Sequence, residues 1–399
     1  MGLIRGEIMF EYRGFMLDSV RHMQSIEEIK KLIDTLPLLK INKFHWHLTD
    51  DQGWRFESER FPQLNSAAER PYSDFGKTYV NEPHGKLYTK DEMREIVAYC
   101  TERGIEVVPE FDIPGHTSAL LSAIPSLSCT GEDVEIKTHQ GIFKDVLCLA
   151  KEETYNTVTQ IIDEFLEIFP GNFFHIGGDE TPSRRWESCP ECQKLMKESG
   201  IESYTEYQNL FMNRIVDYLE SKGRHCIVWN DCAKAGNLDK RAIIQYWKES
   251  PKPTVRFLNE GGRVILSPFS YCYFDYDYNI TPLNRTYSLK ADLPGLTEEG
   301  RKNIIGIEGT VWTEYITENE QLERLVFPRL LALSRVALGE SHKPYNEFVK
   351  EAKSIKNQLD KITFCDENDW TKPRTSMIYG WLKYVKENIT IEFIKELIS

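Results

Sequence analysis

The feature that most limits what this chain can fold into is an alternation, kept up over some three hundred residues, of short β-rich runs and amphipathic helical runs. The first run is Gly14-Phe-Met-Leu-Asp18. Ser25 and Glu28 then form an S-x-x-E start signal for a helix with Ile29, Leu32, Ile33 and Leu36 on one face. Lys43 to Asp50 reads as a second strand, Glu106 to Asp112 as a third, and Phe173 to Thr181 as a fourth. Further strands are expected at Cys226–Asp231, Ala242–Trp247, Arg263–Ser267 and Ile304–Thr310. Helices opened by Thr89/Glu92, Ser203/Glu206 and Thr317/Glu320 separate them, the last running to Gly339. The units around the sixth and seventh strands have weak helices. Eight alternations of this kind predict a (β/α)8 TIM barrel, parallel strands closed on themselves and covered by helices. On this reading residues 1–339 form the barrel, and 340–399 are C-terminal helices packed against it.

Barrel chemistry gathers at the C-terminal strand ends. Those ends carry Asp18 and Arg21, Asp50 and Asp51, Asp112 and His116, and Asp179 and Glu180. The later ones carry Trp229 and Asp231, Trp247, Tyr273 and Asp275, and Trp312 and Glu314. Indole faces stack on pyranose rings and carboxylates accept from hydroxyls, so acids walled by tryptophans suit a sugar. In His175-Ile-Gly-Gly-Asp-Glu180 the two acids are adjacent. Neighbouring strand residues face opposite ways, so both reach one pocket only where the strand leaves its pleat. Close carboxylates also resist joint ionisation, which tends to leave a proton donor beside an anion. The same acids would suit the first turn of a helix.

A net charge of −13 argues against nucleic acid or an anionic membrane as the main partner. No run reaches the roughly 18 apolar residues of a membrane span, and the first residues lack a signal-type apolar core. As written the chain is expected to be cytoplasmic, or secreted if a leader has been removed. Nine scattered cysteines suggest reduced thiols. Cys189-Pro-Glu-Cys192 would need two more ligands to hold zinc, and no second pair follows at suitable spacing. His45-Trp-His47, with His116, His175 and Asp179, raises a metal-dependent hydrolase as a rival. The acids that follow place that H-x-H deep in the barrel, and no metal or other cofactor is expected.

The motif set resembles the glycoside hydrolase family 20 β-N-acetylhexosaminidases from Tyr12 to Gly339. The matching segments are Tyr12-Arg-Gly14, Leu17-Asp18, Arg21-His22, His45 to Trp54, Pro109 to His116, His175 to Glu180, Trp229-Asn-Asp231 and Trp312-Thr-Glu314. The resemblance implies exo-hydrolysis of terminal β-linked GlcNAc or GalNAc from an oligosaccharide or glycoconjugate. The family retains configuration by using the substrate's own acetamido group. It further implies Glu180 as general acid and base, Asp179 orienting the acetamido N–H, and Tyr273 holding its oxygen. Trp229, Trp247 and Trp312 would enclose the methyl and the ring. Arg13, Asp275 and Glu314 would bind ring hydroxyls, His116 would tune Glu180 with Asp50 or Asp51 behind it, and His175 and Asp112 would support. Two departures stand out. Many members carry a domain before the barrel, and many carry another tryptophan between Asp275 and Trp312, where this chain has none. The compact dispersin-type members share these traits, so hydrolysis of a β-1,6-GlcNAc polymer is the alternative.

Overall fold

The computed structural model describes residues 10–68, 73–74, 77–78, 87–248 and 250–370. The expected tail beyond Trp370 and part of the long loop after Asp51 lie outside the described residues. Eight parallel strands close into a barrel in sequence order: β1 (Tyr12–Asp18), β2 (Lys43–His47), β3 (Glu106–Glu110), β4 (Phe173–His175), β5 (His225–Trp229), β6 (Ile243–Tyr246), β7 (Arg263–Leu266) and β8 (Ile304–Val311). Closure is made by β1 on β8, with Gly14 opposite Glu308.

The strands are short, from three residues in β4 to eight in β8. β2 ends at His47, and Thr49–Asp50 pairs instead with Gly53–Trp54 in a small antiparallel ribbon. β4 holds only three residues before its glycines. Outer helices follow the capping signals unevenly. In α1 (Ile26–Thr35) Ser25 accepts from Glu28 N–H, and in α2 (Lys90–Thr101) Thr89 and Glu92 make the full reciprocal box. α3 (Glu152–Leu166) buries Val158, Ile161, Ile162 and Phe165, as its spacing predicts. The Ser203 hydroxyl makes no cap. The helix expected from Thr317 to Gly339 is broken. Asn319–Val326 and Arg329–Ala337 flank Pro328, which has no N–H to carry the ladder across. Beyond β8, the helix Tyr345–Gln358 buries Phe348, Ala352 and Ile355, and the Phe348 ring stacks on Tyr287 at 4.3 Å. No described helix is long and apolar enough to cross a membrane.

The barrel interior is layered. Tyr12, Val108, Ile227, Ile243 and Ile265 form an apolar floor. Above it lie fully buried polar groups. Glu308 accepts from the Tyr12 hydroxyl at 2.7 Å and from Gln245 at 2.7 Å, and sits 2.8 Å from His45 Nδ1. Burial alone would lower the His45 pKa, yet Glu308 and Glu110 raise it to about 9, so this layer is an ion-paired one. Gly14 makes room for it, because a Cβ there would stand 2.2 Å from Glu308 Oε2. Gly14→Ala is therefore expected to break these buried bonds and cost about 3–5 kcal/mol. Urea unfolding would show it as a lower midpoint with unchanged slope.

Candidate active site

The pocket opens at the C-terminal ends of the strands, a cavity of about 320 Å3. Its wall includes Asp112, His116, Asp179, Glu180, Trp247, Tyr273, Asp275, Trp312 and Glu314. Asp50 and Arg21, both buried, line it as well.

The adjacent acids share this pocket through a backbone device. Gly177 and Gly178 take φ of +65° and +98°, and Glu180 itself takes +43°. A side chain at Gly177 would also collide with Asp112, whose Oδ1 would lie 1.6 Å from its Cβ. Left-handed backbone is cheap for glycine and costly for glutamate, so the strain at Glu180 is held by the surroundings. The turn swings both carboxyls to one side. His116 Nε2 stands 3.8 Å from Asp179 Oδ2 and 4.0 Å from Glu180 Oε2.

His116 is in turn held from behind. Its Nδ1 lies 3.1 Å from Asp50 Oδ1 and 3.3 Å from Asp51 Oδ2. The hydrogen bond goes to Asp50, while Asp51 accepts the Ser118 N–H and hydroxyl at 2.9 and 2.6 Å. Asp50 Oδ2 also receives Arg21 at 2.7 Å and His47 Nε2 at 2.8 Å. Burial would raise the Asp50 pKa, but Arg21 and His116 hold it far below the usual range. His116 is pushed up. Burial disfavours its charge, and Asp50, Asp112 and Asp179 outweigh that.

Asp179 moves the opposite way from Asp50. Burial, with Glu180 adding to it against the opposing pull of His116, raises its pKa to about 7. Its Oδ1 is buried with no hydrogen-bond partner among the described residues. Asp275 Oδ1 is likewise unpartnered, and burial with Glu314 pushes that carboxyl up. Asp112 is raised by burial and Asp179, and accepts Gly178 N–H at 3.3 Å. Burial also raises Glu314, against Arg21. The buried Tyr273 hydroxyl is pushed well above 10 and stays a donor. Its ring lies parallel to Trp247 at 5.9 Å and 6.4 Å from Trp312.

Two expectations change, those for Arg13 and Trp229, while His175 keeps a supporting place. Arg13 is the second residue of β1, about 16 Å of strand rise below Asp18, and donates to the Lys40 and Phe10 carbonyls. It is at the wrong end of the barrel, and Arg21 stands in the pocket, its guanidinium 5.3 Å from the Trp312 ring centre. Trp229 is fully buried beneath the pocket, its indole N–H donating to Glu110 Oε1 at 2.9 Å. It supports Trp247 and Trp312 at 6.3 and 6.0 Å and lines nothing. His175 lies equally deep, kept neutral by burial, and accepts Gly177 N–H at 3.0 Å.

Other residues enter that spacing did not single out. Glu110, wholly buried, pairs with His45 and His47. Lys248 donates to Glu180 Oε1 while lying 3.8 Å from the Trp247 ring centre. Arg329 donates to the carbonyls of Phe274, Tyr276 and Thr281 at 2.6, 2.7 and 3.0 Å, fixing the loop that carries Tyr273 and Asp275. His45 and His47 also lie near enough to acids to suggest cation ligands. Burial works against the charge of both imidazoles, and the carboxylates beside them push both upward all the same.

Against known proteins, the sequence model for the glycosyl hydrolase family 20 catalytic domain matches residues 10–338. A β-hexosaminidase of Porphyromonas gingivalis is 34% identical over 345 residues, which is 84% of this chain and 44% of that protein. One from Vibrio furnissii is 35% identical over 356 residues, 83% of this chain and 57% of the relative. The chain thus spans about half the length of these relatives. A solved chitobiase of Flavobacterium johnsoniae superposes with TM-score 0.78 at 30% identity, covering 97% of this chain and 56% of that one. A β-N-acetylhexosaminidase of Bacteroides fragilis gives 0.78 at 30% identity, covering 92% and 75%.

The raised Asp179 pKa has a consequence for stability. The folded form holds its proton up to about pH 7, whereas an unfolded aspartic acid loses it near pH 4. The wild-type fold therefore loses stability as pH rises between those values. Asp179→Asn is expected to melt higher than wild type at pH 8, by about 1–3 kcal/mol equivalent. The difference should shrink towards zero as pH falls to 4, which calorimetry across that range would check.

Proposed function

The chain belongs to glycosyl hydrolase family 20, and from that premise we propose that it is an exo-acting β-N-acetylhexosaminidase removing terminal β-linked GlcNAc or GalNAc with retention. The observation that carries this reading is the buried, unpartnered Asp179 Oδ1 inside a pocket with Tyr273, Trp247 and Trp312. An acetamido N–H is the donor such an acceptor lacks, the Tyr273 hydroxyl suits the acetamido oxygen, and the indole faces suit its methyl and the ring. Ordinary retaining enzymes place two carboxyls across the scissile bond. Asp179 and Glu180, sequence neighbours turned to one side, fit the substrate-assisted scheme instead.

In that scheme Glu180 protonates the glycosidic oxygen as the bond to C1 breaks. The acetamido oxygen, positioned by Tyr273, closes on C1 to give an oxazolinium ion. Asp179, in its ionised form, accepts the N–H and offsets the positive charge where it develops. Glu180, now a carboxylate, takes a proton from water as it attacks C1, and the oxazolinium opens to the N-acetyl sugar. His116, backed by Asp50, supplies a cation that both carboxyls feel. Arg21, Asp275 and Glu314, which line the same pocket, suit the ring hydroxyls of a terminal sugar. The relatives named β-hexosaminidase favour the same reading over polymer hydrolysis.

Glu180→Gln keeps the shape of the side chain and removes its proton transfer. Turnover of an aryl β-GlcNAc is expected to fall about 10²–10⁴-fold with the melting temperature unchanged. Ordinary turnover by that variant would sink the proposal.

A further inference from the structure

Outside the pocket, the fold assembles four cysteines that the chain keeps apart. Cys189 and Cys192 bracket the start of the helix Pro190–Glu198, Cys189 as its cap residue. The missing second pair lies upstream, where spacing alone did not show it. Cys129 follows the turn Pro125–Leu127, and Cys148 comes just after Leu147, which bridges back to Ser128. One sulfur from each of the four lies within 4.8 Å of all the others. Cys192 Sγ is 3.6 Å from Cys148 Sγ and 3.8 Å from Cys129 Sγ.

These separations choose between chemistries. A disulfide needs about 2.05 Å between sulfurs. Four thiolates at 2.3 Å from a central zinc stand about 3.8 Å apart along the edges of a tetrahedron. We propose that Cys129, Cys148, Cys189 and Cys192 form a structural zinc site. The hard-acid ions prefer oxygen, whereas four thiolates select zinc or iron. The site is closed, with three of its cysteines buried and Cys129 partly so, which is the pattern of a structural ion and not of a catalytic one with an open position. Loading replaces four S–H protons by one Zn2+, giving a site of net charge −2 and four protons released to solvent. The surroundings suit that charge. The buried Tyr207 hydroxyl has the Cys192 thiol as its polar neighbour. The Lys151 ammonium is pinned nearby by the carbonyls of Ser126 and Ser128.

The place of the site gives it a role. Cys129 and Cys148 clamp the base of the loop 130–147, whose Gln140, Gly141 and Ile142 line the pocket rim. The other pair lies on the segment that leaves Glu180. Trp186 and Leu147 already join the two by a hydrogen bond of 2.9 Å, and Arg185 joins Asp145. A zinc ion would fasten that loop to the chain just beyond the catalytic acids.

The test is elemental analysis of the full chain purified without chelator from zinc-supplemented culture. It is run beside a Cys148→Ser/Cys192→Ser double variant and Cys365→Ser, which lies outside the cluster. About one zinc per chain is expected in wild type and Cys365→Ser, and less than a tenth of that in the double variant. Should the double variant fail to fold, cobalt(II) exchanged into wild type decides, with the intense thiolate charge-transfer bands of a tetrahedral sulfur site expected. Wild type with no stoichiometric metal, a mass lowered by disulfide formation, or equal zinc in the double variant would overturn the site. Stoichiometric iron would overturn its assignment to zinc.

Discussion

The Asp50 carboxylate is the interaction on which the rest of the pocket depends. Both oxygens are used twice, by His116 and the Asp51 N–H on one side and by Arg21 and His47 on the other. A buried ion that loses one partner leaves another charge uncompensated, at a cost of several kcal/mol. This single group therefore fixes the ring that faces the Asp179 and Glu180 carboxyls, the arginine that lines the pocket, and the top of the charged layer inside the barrel. Below it the same logic repeats, with Glu110 between His45 and His47 and Glu308 beside His45. Barrel interiors are ordinarily filled with branched apolar residues. Here that filling is confined to the floor, and paired charges occupy the space above it.

The consequence is a gradient of ionisation from floor to mouth. Deep carboxylates are held low by cations, as at Asp50 and Glu110. At the surface of the pocket the balance tips, and Asp179, Asp275 and Glu314 are all pushed upward by burial. These are the acids with capacity to spare for a ligand, two of them carrying an unpartnered oxygen. A site built this way is costly when empty, and it gains most from a substrate that supplies N–H and O–H donors together.

Much of this was legible in the chain. The alternation of runs gave away the barrel, and His175-Ile-Gly-Gly-Asp-Glu180 marked the site, because two glycines before two acids have a backbone reason to be there. Arg13 misled because a motif match carries no strand polarity: five residues along a strand exchange one end of the barrel for the other. Trp229 misled in a subtler way, since it ends a strand as Trp247 and Trp312 nearly do, yet its indole turns inward to Glu110. Glu110 and Glu308 left a faint signal, lone acids within apolar strands. Arg329 and Lys248 left none that spacing could reveal, and the four-cysteine cluster showed only its Cys189/Cys192 half, for their partners lie tens to hundreds of residues away. The break at Pro328 was visible in the letters and was overridden by the helical period on either side of it.

The central claim is that the substrate's own acetamido oxygen is the nucleophile and that Asp179, Tyr273 and the indoles exist to aim it. The most direct measurement is the rate across aryl β-glucosaminides whose N-acyl group is acetyl, monofluoroacetyl, difluoroacetyl or trifluoroacetyl. Each fluorine withdraws electron density from the attacking oxygen while leaving the leaving group untouched. The account predicts a steep, monotonic fall in kcat/KM along the series. A rate indifferent to fluorination would contradict it and return the role of nucleophile to a protein side chain.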